Sequence, residues 1–212
     1  MHFSDYQSAL QRYSDLCAHL QKDEPLWKKL QSCASLFRQT SPFVFLGVGK
    51  SYWIAARAAE TSRSLNMPAV APRVEDLLHG GLSLVQAPNT ALILISKSGE
   101  TPELLSVIPH IPLTTPLVYV TCNGSLEDRD QSHHRVYLTY PGHLYEHDTY
   151  ALVPLTSLAG AAIVCDLLLM TLAHARDLLY DQFLFSHPGG YIGQIPSDGV
   201  EKLAVFSFGK DV

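Results

Sequence analysis

The chain has 212 residues, of which 47% are hydrophobic and 17% charged, and its formal net charge is −5. This length suffices for one substantial domain with its own core, and the composition is that of a globular chain rather than a disordered one. The net negative charge excludes a general basic surface for nucleic acid.

The sequence carries no segment that predicts export or membrane insertion. Residues 1–5 lack the basic and apolar regions of a leader, and the most apolar stretch, residues 152–172, is interrupted by Pro154 and Asp166. The four cysteines lie far apart without a Cys-x-x-Cys spacing, which favours reduced thiols. We therefore expect a cytoplasmic protein.

Two amphipathic helices in residues 5–38 precede a regular alternation of short apolar runs and helical segments. Continuous apolar runs indicate strands that are covered on both faces, and their alternation with helices predicts a three-layer α-β-α sandwich with a parallel sheet. We expect an N-terminal helical segment in residues 1–40 that packs on the core, one domain in residues 41–194, and a tail in residues 195–212. The predicted strands are Phe43–Gly47, residues 68–71, Ala91–Ile95, Leu117–Thr121 and Val136–Leu138, and the predicted helices between them are residues 51–65, a short helix ending at His79, and residues 102–108 and 155–176.

The third predicted strand leads directly into the octet Ser-Lys-Ser-Gly-Glu-Thr-Pro-Glu, residues 96–103. This loop has three hydroxyl side chains and a Pro placed like the first residue of a helix. Hydroxyl groups and backbone N–H groups at the positive end of a helix favour a phosphate. The octet therefore predicts a phosphate-binding loop at the carboxyl edge of the sheet, where parallel sheets bind ligands.

A second loop at the same predicted edge, residues 47–51, reads Gly-Val-Gly-Lys-Ser. It is not a Walker A loop, because Val44 stands where the first Gly is required, and it is not a dinucleotide fingerprint, because Tyr52 replaces the third Gly. Two glycines still allow close backbone approach, and Lys50 supplies a positive charge. The loop is either a ligand loop or a plain strand-to-helix turn, and its pairing with the octet favours the ligand loop.

Several histidines lie in motifs with more than one interpretation. His187, in Ser-His-Pro-Gly-Gly at residues 186–190, is either a helix exit or a catalytic imidazole, and His79 has the same ambiguity. Residues 143–147 match the H-x-x-E-H metalloprotease pattern, which needs a helix. Pro141-Gly142 just before it argues against one, so Glu146 is more consistent with a loop carboxylate. The spacing of the ten histidines commits to no metal site.

Four segments together resemble a known family. Residues 47–51, His79-Gly80, the octet and residues 186–193 follow the order and spacing of the SIS (sugar isomerase) phosphosugar-binding fold, in its arabinose-5-phosphate isomerase branch. The resemblance covers about residues 40–194. It implies a five-stranded parallel sheet, a homodimer or homotetramer, a small sugar phosphate as ligand, and interconversion of D-arabinose 5-phosphate and D-ribulose 5-phosphate, a reaction of lipopolysaccharide synthesis. It implies neither a cofactor nor a contact with nucleic acid or membrane.

The resemblance also implies roles for particular residues. Lys50 would stabilise enediolate charge, and Glu103 or Glu146 would be the proton-transfer base, with a preference for Glu146 because burial can raise the pKa of a carboxylate towards neutrality. His187, with His79, would assist ring opening or shuttle a proton, also in a neighbouring subunit. The implied catalytic residues are Lys50, Glu103, Glu146 and His187, and the implied substrate-binding residues are Gly49, Ser51, His79, Ser96, Ser98, Gly99 and Thr101.

The chain departs from the family pattern at several positions. Gly81 stands where Asp is usual, residues 73–77 replace a His-Pro-x-Glu-Ala segment, and Lys97 stands where Asn is common. The pair of CBS domains that most relatives carry is expected to be absent. Two alternatives stay open: an isomerase of a heptose or hexulose phosphate, for which zinc binding is conceivable but not predicted, and a non-catalytic sugar-phosphate sensor. The complete set of proton-transfer residues argues against the sensor.

Overall fold

One parallel sheet organises the computed structural model, which describes residues 2–129, 135–147, 152–189 and 191–194. Within these ranges five strands lie in the order β2-β1-β3-β4-β5, and every pair is parallel. This confirms the predicted α/β sandwich. The strands are β1 (Phe43–Gly47), β2 (Ala69–Val70), β3 (Ala91–Ile95), β4 (Leu117–Thr121) and β5 (Arg135–Thr139).

Helices cover both faces of the sheet, because the central strands are apolar at every position. Successive side chains of a strand point to opposite faces, so Phe43 and Phe45 join one buried cluster while Val44 and Leu46 join the other. The helices are α1 (Phe3–Leu20), α2 (Glu24–Leu36), α3 (Lys50–Ser64), α4 (Val74–Asp76), α5 (Ser83–Gln86), α6 (Pro102–Val107), α7 (Ser125–Arg129), α8 (Thr156–Ala175) and α9 (Tyr180–Phe185).

The N-terminal helices pack against α8. Asp23 caps α2 by accepting a hydrogen bond from the backbone N–H of Leu26 at 2.9 Å, as its place before Pro25 predicts. Leu30 and Cys33 of α2 lie in the same buried cluster as the apolar side chains of α8. This packing makes the first two helices part of the wall around one face of the sheet.

Helix α8 is long and apolar enough, by length and composition, to cross a membrane. The expectation that its polar residues rule out such a helix was therefore too strict. In the structure Leu168 and Leu172 are fully buried in the core that the sheet, α2 and α3 share. The apolar character of α8 is thus explained by its place in the core.

The predicted short helix ending at His79 is divided in the structure. Helix α4 runs into a kinked segment, Leu77–Gly81, in which His79 and Gly80 depart from helical dihedral angles. Gly80 has φ of +115°, a value that favours glycine. This segment leads into α5, which the sequence analysis missed because its four residues have no helical period. Residues 195–212, predicted as a tail, lie outside the described residues.

Candidate functional site

The site lies where the order of the strands reverses. Strand β1 has β2 on one side and β3 on the other, so the loops that follow β1 and β3 meet at the carboxyl edge of the sheet. Gly47 pairs in register with Ile95, which brings the two loops side by side. A Cβ at Gly47 would lie 2.5 Å from the backbone oxygen of Ser51, so only glycine lets α3 begin this close to the strand.

The octet forms a compact loop whose hydroxyl groups hold one another. Ser96 Oγ lies 2.8 Å from Thr101 Oγ1 and accepts a hydrogen bond from the backbone N–H of Gly99 at 3.0 Å. Ser98 Oγ accepts a hydrogen bond from the backbone N–H of Glu100. Gly99 has φ of +69°, a left-handed backbone conformation that glycine adopts without the steric cost of a side chain. Hydrogen bonds within the loop therefore fix the three hydroxyl groups.

The loop after β4 supports the octet from below. The backbone oxygen of Lys97 accepts hydrogen bonds from the backbone N–H of Cys122 at 3.0 Å and from Thr121 Oγ1 at 3.2 Å. Asn123 Nδ2 donates to the backbone oxygen of Ser98 at 2.9 Å. These contacts tie the octet to the end of β4 and to the loop that follows it.

These hydroxyl groups line an open cavity of about 510 Å³, here called the phosphate cavity. Ser51 of the first loop lines this cavity together with Ser96, Ser98 and Thr101 of the octet, and their role in binding a phosphate stays a prediction. Three further lining residues, Cys122, Asn123 and His143, were not predicted to belong to the site. Cys122 and Asn123 directly follow β4, and His143 begins the H-x-x-E-H motif, and these positions were the available signals.

Burial raises the pKa of Cys122, so its thiol is protonated at neutral pH. The phosphate cavity is lined by Ser51, Ser96, Lys97, Ser98, Thr101, Cys122, Asn123 and His143.

A second, smaller cavity adjoins the first. It has a volume of about 220 Å³ and shares Ser51 and Lys97 with the phosphate cavity. Lys50 also lines it, together with Ser157 at the start of α8. Among the described residues, the linings of both cavities contain lysine side chains and no carboxylate, so the joined space favours an anionic ligand.

Glu146 is 4% exposed and lies behind the second cavity. Its carboxylate accepts hydrogen bonds from the backbone N–H groups of Leu155, Thr156 and Ser157 and from the hydroxyl groups of Thr156 and Ser157. It thereby satisfies the N–H groups that begin α8, at the end where the helix dipole favours negative charge. The side chain of Glu146 therefore caps the N-terminus of α8.

The prediction that burial raises the pKa of Glu146 towards neutrality is wrong. Burial acts in that direction, but the hydrogen bonds from the Ser157 hydroxyl and from the backbone N–H groups of residues 155–157 outweigh it, so the pKa lies below its ordinary value. A carboxylate with a lowered pKa and occupied lone pairs is a weak base. Burial therefore gives no reason to prefer Glu146 over Glu103 as the base.

Glu103 and His79 lie outside both cavity linings. Glu103 is exposed in the first turn of α6, and its backbone oxygen accepts a hydrogen bond from Ser106. His79 is exposed at the kink between α4 and α5. The structure brings neither side chain to the joined cavities, so their assigned roles stay predictions.

His187 lies at the opposite end of α3 from Lys50. Its Nε2 is 2.9 Å from Ser64 Oγ, and its Nδ1 is 2.7 Å from the backbone oxygen of Phe183. Since α3 rises about 1.5 Å per residue, Ser64 is about 21 Å from Lys50. His187 does not reach the site of its own subunit, and its action in a neighbouring subunit stays a prediction. Gly190 of the same motif lies outside the described residues.

The H-x-x-E-H segment is not helical in the way a metalloprotease requires. Residues 142–145 form a single 3-10 turn, and Glu146 is extended, which confirms the expectation from Pro141-Gly142. In the described part of the chain, no group of three or more His, Cys, Asp or Glu side chains could hold a metal ion.

Replacing Thr101 by Val is expected to weaken binding of inorganic phosphate about tenfold, which corresponds to one lost hydrogen bond to a charged group. Thr101 is suitable because its hydroxyl contacts Ser96 Oγ, while Ser96 keeps its hydrogen bond from the Gly99 N–H and so holds the loop. Titration calorimetry measures the change, with Ser106→Ala on the exposed face of α6 as control. Equal affinity of the Thr101 variant and the wild type would contradict the assignment.

Comparisons with known proteins identify relatives in sequence. An uncharacterized protein of Chlamydia pneumoniae is 34% identical over 149 residues, which are 70% of this chain and 44% of that protein. Arabinose 5-phosphate isomerase KdsD of Escherichia coli O6:H1 is 30% identical over 165 residues, 77% of this chain and 49% of the isomerase. No family model matches the chain.

Solved structures give the same result. A protein of Escherichia coli CFT073, in complex with arabinose 5-phosphate, superimposes with a TM-score of 0.68 at 25% identity, and the match covers 87% of this chain and 94% of that protein. The five-stranded parallel sheet with helices on both faces is the three-layer SIS fold, which the chain shares with this neighbour. Within that fold the chain is a sequence relative of the arabinose 5-phosphate isomerases, and it spans about half the length of these curated relatives.

Proposed function

We propose that the protein is an aldose–ketose isomerase of a sugar phosphate. The observation that carries the proposal is that two cavities share the lining residues Ser51 and Lys97. The larger contains the fixed hydroxyl groups of the octet, and Lys50 also lines the smaller one. The hydroxyl groups of Ser96, Ser98 and Thr101, here called the hydroxyl cradle, suit a phosphate. The smaller cavity suits the reacting end of the sugar. A pure phosphate binder has no need for the second, cationic space.

The proposed reaction passes through an enediolate. A base removes the proton from C2 and delivers it to C1, while a second proton moves between the two oxygens. Binding of the phosphate by Ser96, Ser98 and Thr101 positions the reacting carbons. The charged amine of Lys50 stabilises the negative charge that develops on the oxygens.

Glu103 and Glu146 are the two candidates for the base that removes the proton from C2. Glu103 is exposed and outside the cavity linings, and Glu146 is committed to the start of α8. Turnover of Glu103→Gln and Glu146→Gln, each measured on protein shown to be folded, separates the two. We further propose that the protein forms a homodimer or homotetramer in the cytoplasm. In this assembly His187 would contribute to the site of a neighbouring subunit.

The proposed substrate pair is D-arabinose 5-phosphate and D-ribulose 5-phosphate. The named activity of the KdsD relatives and the ligand of the structural neighbour support this pair. The chain departs from the family pattern at residues 73–77 and at Gly81. The alternative substrate is therefore a different pentose, hexulose or heptose phosphate. No cofactor is proposed, so chelation is expected to leave turnover unchanged.

A panel of pentose, hexose and heptose phosphates, assayed for aldose–ketose exchange, tests the proposal. We expect turnover of D-arabinose 5-phosphate, and no turnover by Lys50→Met. Faster turnover of another sugar phosphate would replace the substrate and keep the reaction. Thermal stabilisation by sugar phosphates without any turnover would instead favour the sensor.

A further inference from the structure

We propose that Lys97 is a second cationic residue of the reaction, which contacts the reacting end of the sugar and stabilises the enediolate. The inference rests on the proposed function and adds to it a residue that the family pattern does not supply. Lys97 lines both cavities, whereas Lys50 lines only the smaller one. A ligand that extends from the hydroxyl cradle into the smaller cavity therefore passes Lys97.

The backbone of Lys97 is fixed more firmly than that of a surface lysine. The preceding residue, Ser96, donates its backbone N–H to the backbone oxygen of Val120 in β4. The backbone oxygen of Lys97 accepts hydrogen bonds from Thr121 Oγ1 at the end of β4 and from the backbone N–H of Cys122. The side chain starts from this anchored point and is 34% exposed. The side chain thus starts from a fixed backbone position in a residue that lines both cavities.

Glu146 positions this amine. Lys97 Nζ lies 3.7 Å from Glu146 Oε1, and the carboxylate is itself held by five donors at the start of α8. Those donors fix the position of the carboxylate, and its negative charge attracts the Lys97 amine. Glu146 is accordingly a positioning residue in this scheme, which gives it a role that needs no raised pKa.

The structural consequence is a site that recognises negative charge at both ends of its ligand. The hydroxyl cradle binds the phosphate, and the pair Lys50 and Lys97 binds charge at C1 and C2. A sugar acid phosphate, whose C1 is a carboxylate, imitates the enediolate in charge. The corresponding sugar alcohol phosphate has the same length and a neutral C1, so the two ligands isolate the effect of the amines.

The test compares the binding of 5-phospho-D-arabinonate, D-arabinitol 5-phosphate and inorganic phosphate by calorimetry. We expect the wild type to prefer the acid, and Lys97→Met to lose that preference by roughly tenfold or more, as expected for one charge-assisted contact. Affinity of the variant for inorganic phosphate should fall less than that for the acid. Lys97→Arg should restore part of the preference, and Lys28→Met, an exposed lysine of α2, should leave it unchanged.

The outcomes separate the inference from the function. If Lys97→Met and the uncharged variant Lys97→Gln keep the preference for the acid, or if the wild type has none, the role of Lys97 is overturned while isomerase activity stands. If the wild type binds none of the sugar ligands, the proposed function fails. Thermal unfolding of both variants identifies any loss of binding that comes from misfolding, and Lys97→Arg then decides the question.

Discussion

Replacing Glu146 by Gln is expected to lower the free energy of unfolding by about 3 kcal/mol, the scale of a lost set of hydrogen bonds to a buried charge. The carboxylate accepts bonds from the three backbone N–H groups of residues 155–157 and from two hydroxyl groups. An amide of the same shape turns its own N–H₂ towards some of these donors. Urea unfolding at neutral pH measures the loss, with the exposed Glu103→Gln as control, expected within about 1 kcal/mol of wild type.

The loss should depend on pH in a defined direction. The pKa of Glu146 lies below its ordinary value in the folded state, because the hydrogen bonds outweigh its burial. Its stabilisation is therefore complete above the ordinary glutamate pKa of about 4.3 and is lost as the pH falls through the lower, folded-state pKa. The stability difference between wild type and Glu146→Gln should shrink over this range, and a difference that stays constant down to about pH 3 would contradict the assignment.

Replacing Gly47 by Ala is expected to cost about 3 kcal/mol of stability, the upper part of the range for overpacking. A Cβ at this position would lie 2.5 Å from the backbone oxygen of Ser51 and 2.8 Å from the backbone nitrogen of Tyr52. Backbone atoms cannot rotate away, so the start of α3 must move. That movement displaces Lys50 and Ser51, and binding of inorganic phosphate should weaken with it.

Gly124→Ala is the matched control for this change. A Cβ at Gly124 would meet only Thr139 Cγ2, at the ordinary contact distance of 3.7 Å. Thermal unfolding and calorimetry on both variants make the comparison. If Gly47→Ala unfolds at the temperature of the control and binds phosphate equally well, the close approach of α3 to β1 is not a requirement of the fold.

The strands were predictable because each is a continuous apolar run between breakers. Phe43–Gly47, Ala91–Ile95 and Leu117–Thr121 coincide with the predicted ranges, since burial on both faces leaves no alternative for such runs. Helices α5 and α7 were missed, because four or five residues contain too little periodicity to indicate a helix. Their existence depends on packing rather than on local sequence.

The hydroxyl cradle was predictable for a different reason. Its members lie within one loop, and the alternation of strands and helices places that loop at the ligand edge. The environment of Glu146 was not predictable in this way, because its donors lie nine to eleven positions later and meet it only when α8 starts beside it. The sequence likewise shows Lys97 next to Ser96, but only the structure shows that Lys97 lines two cavities.

Exchange of carbon-bound hydrogen with solvent tests the central claim most directly. The protein is incubated with D-arabinose 5-phosphate in D₂O, and proton NMR follows the C2 signal of the aldose and the C1 signal of the ketose. An enediolate route predicts deuterium at C1 of newly formed D-ribulose 5-phosphate and, after the reverse reaction, at C2 of the recovered aldose. Binding of aldose phosphates with no deuterium incorporated into any of them would contradict the account.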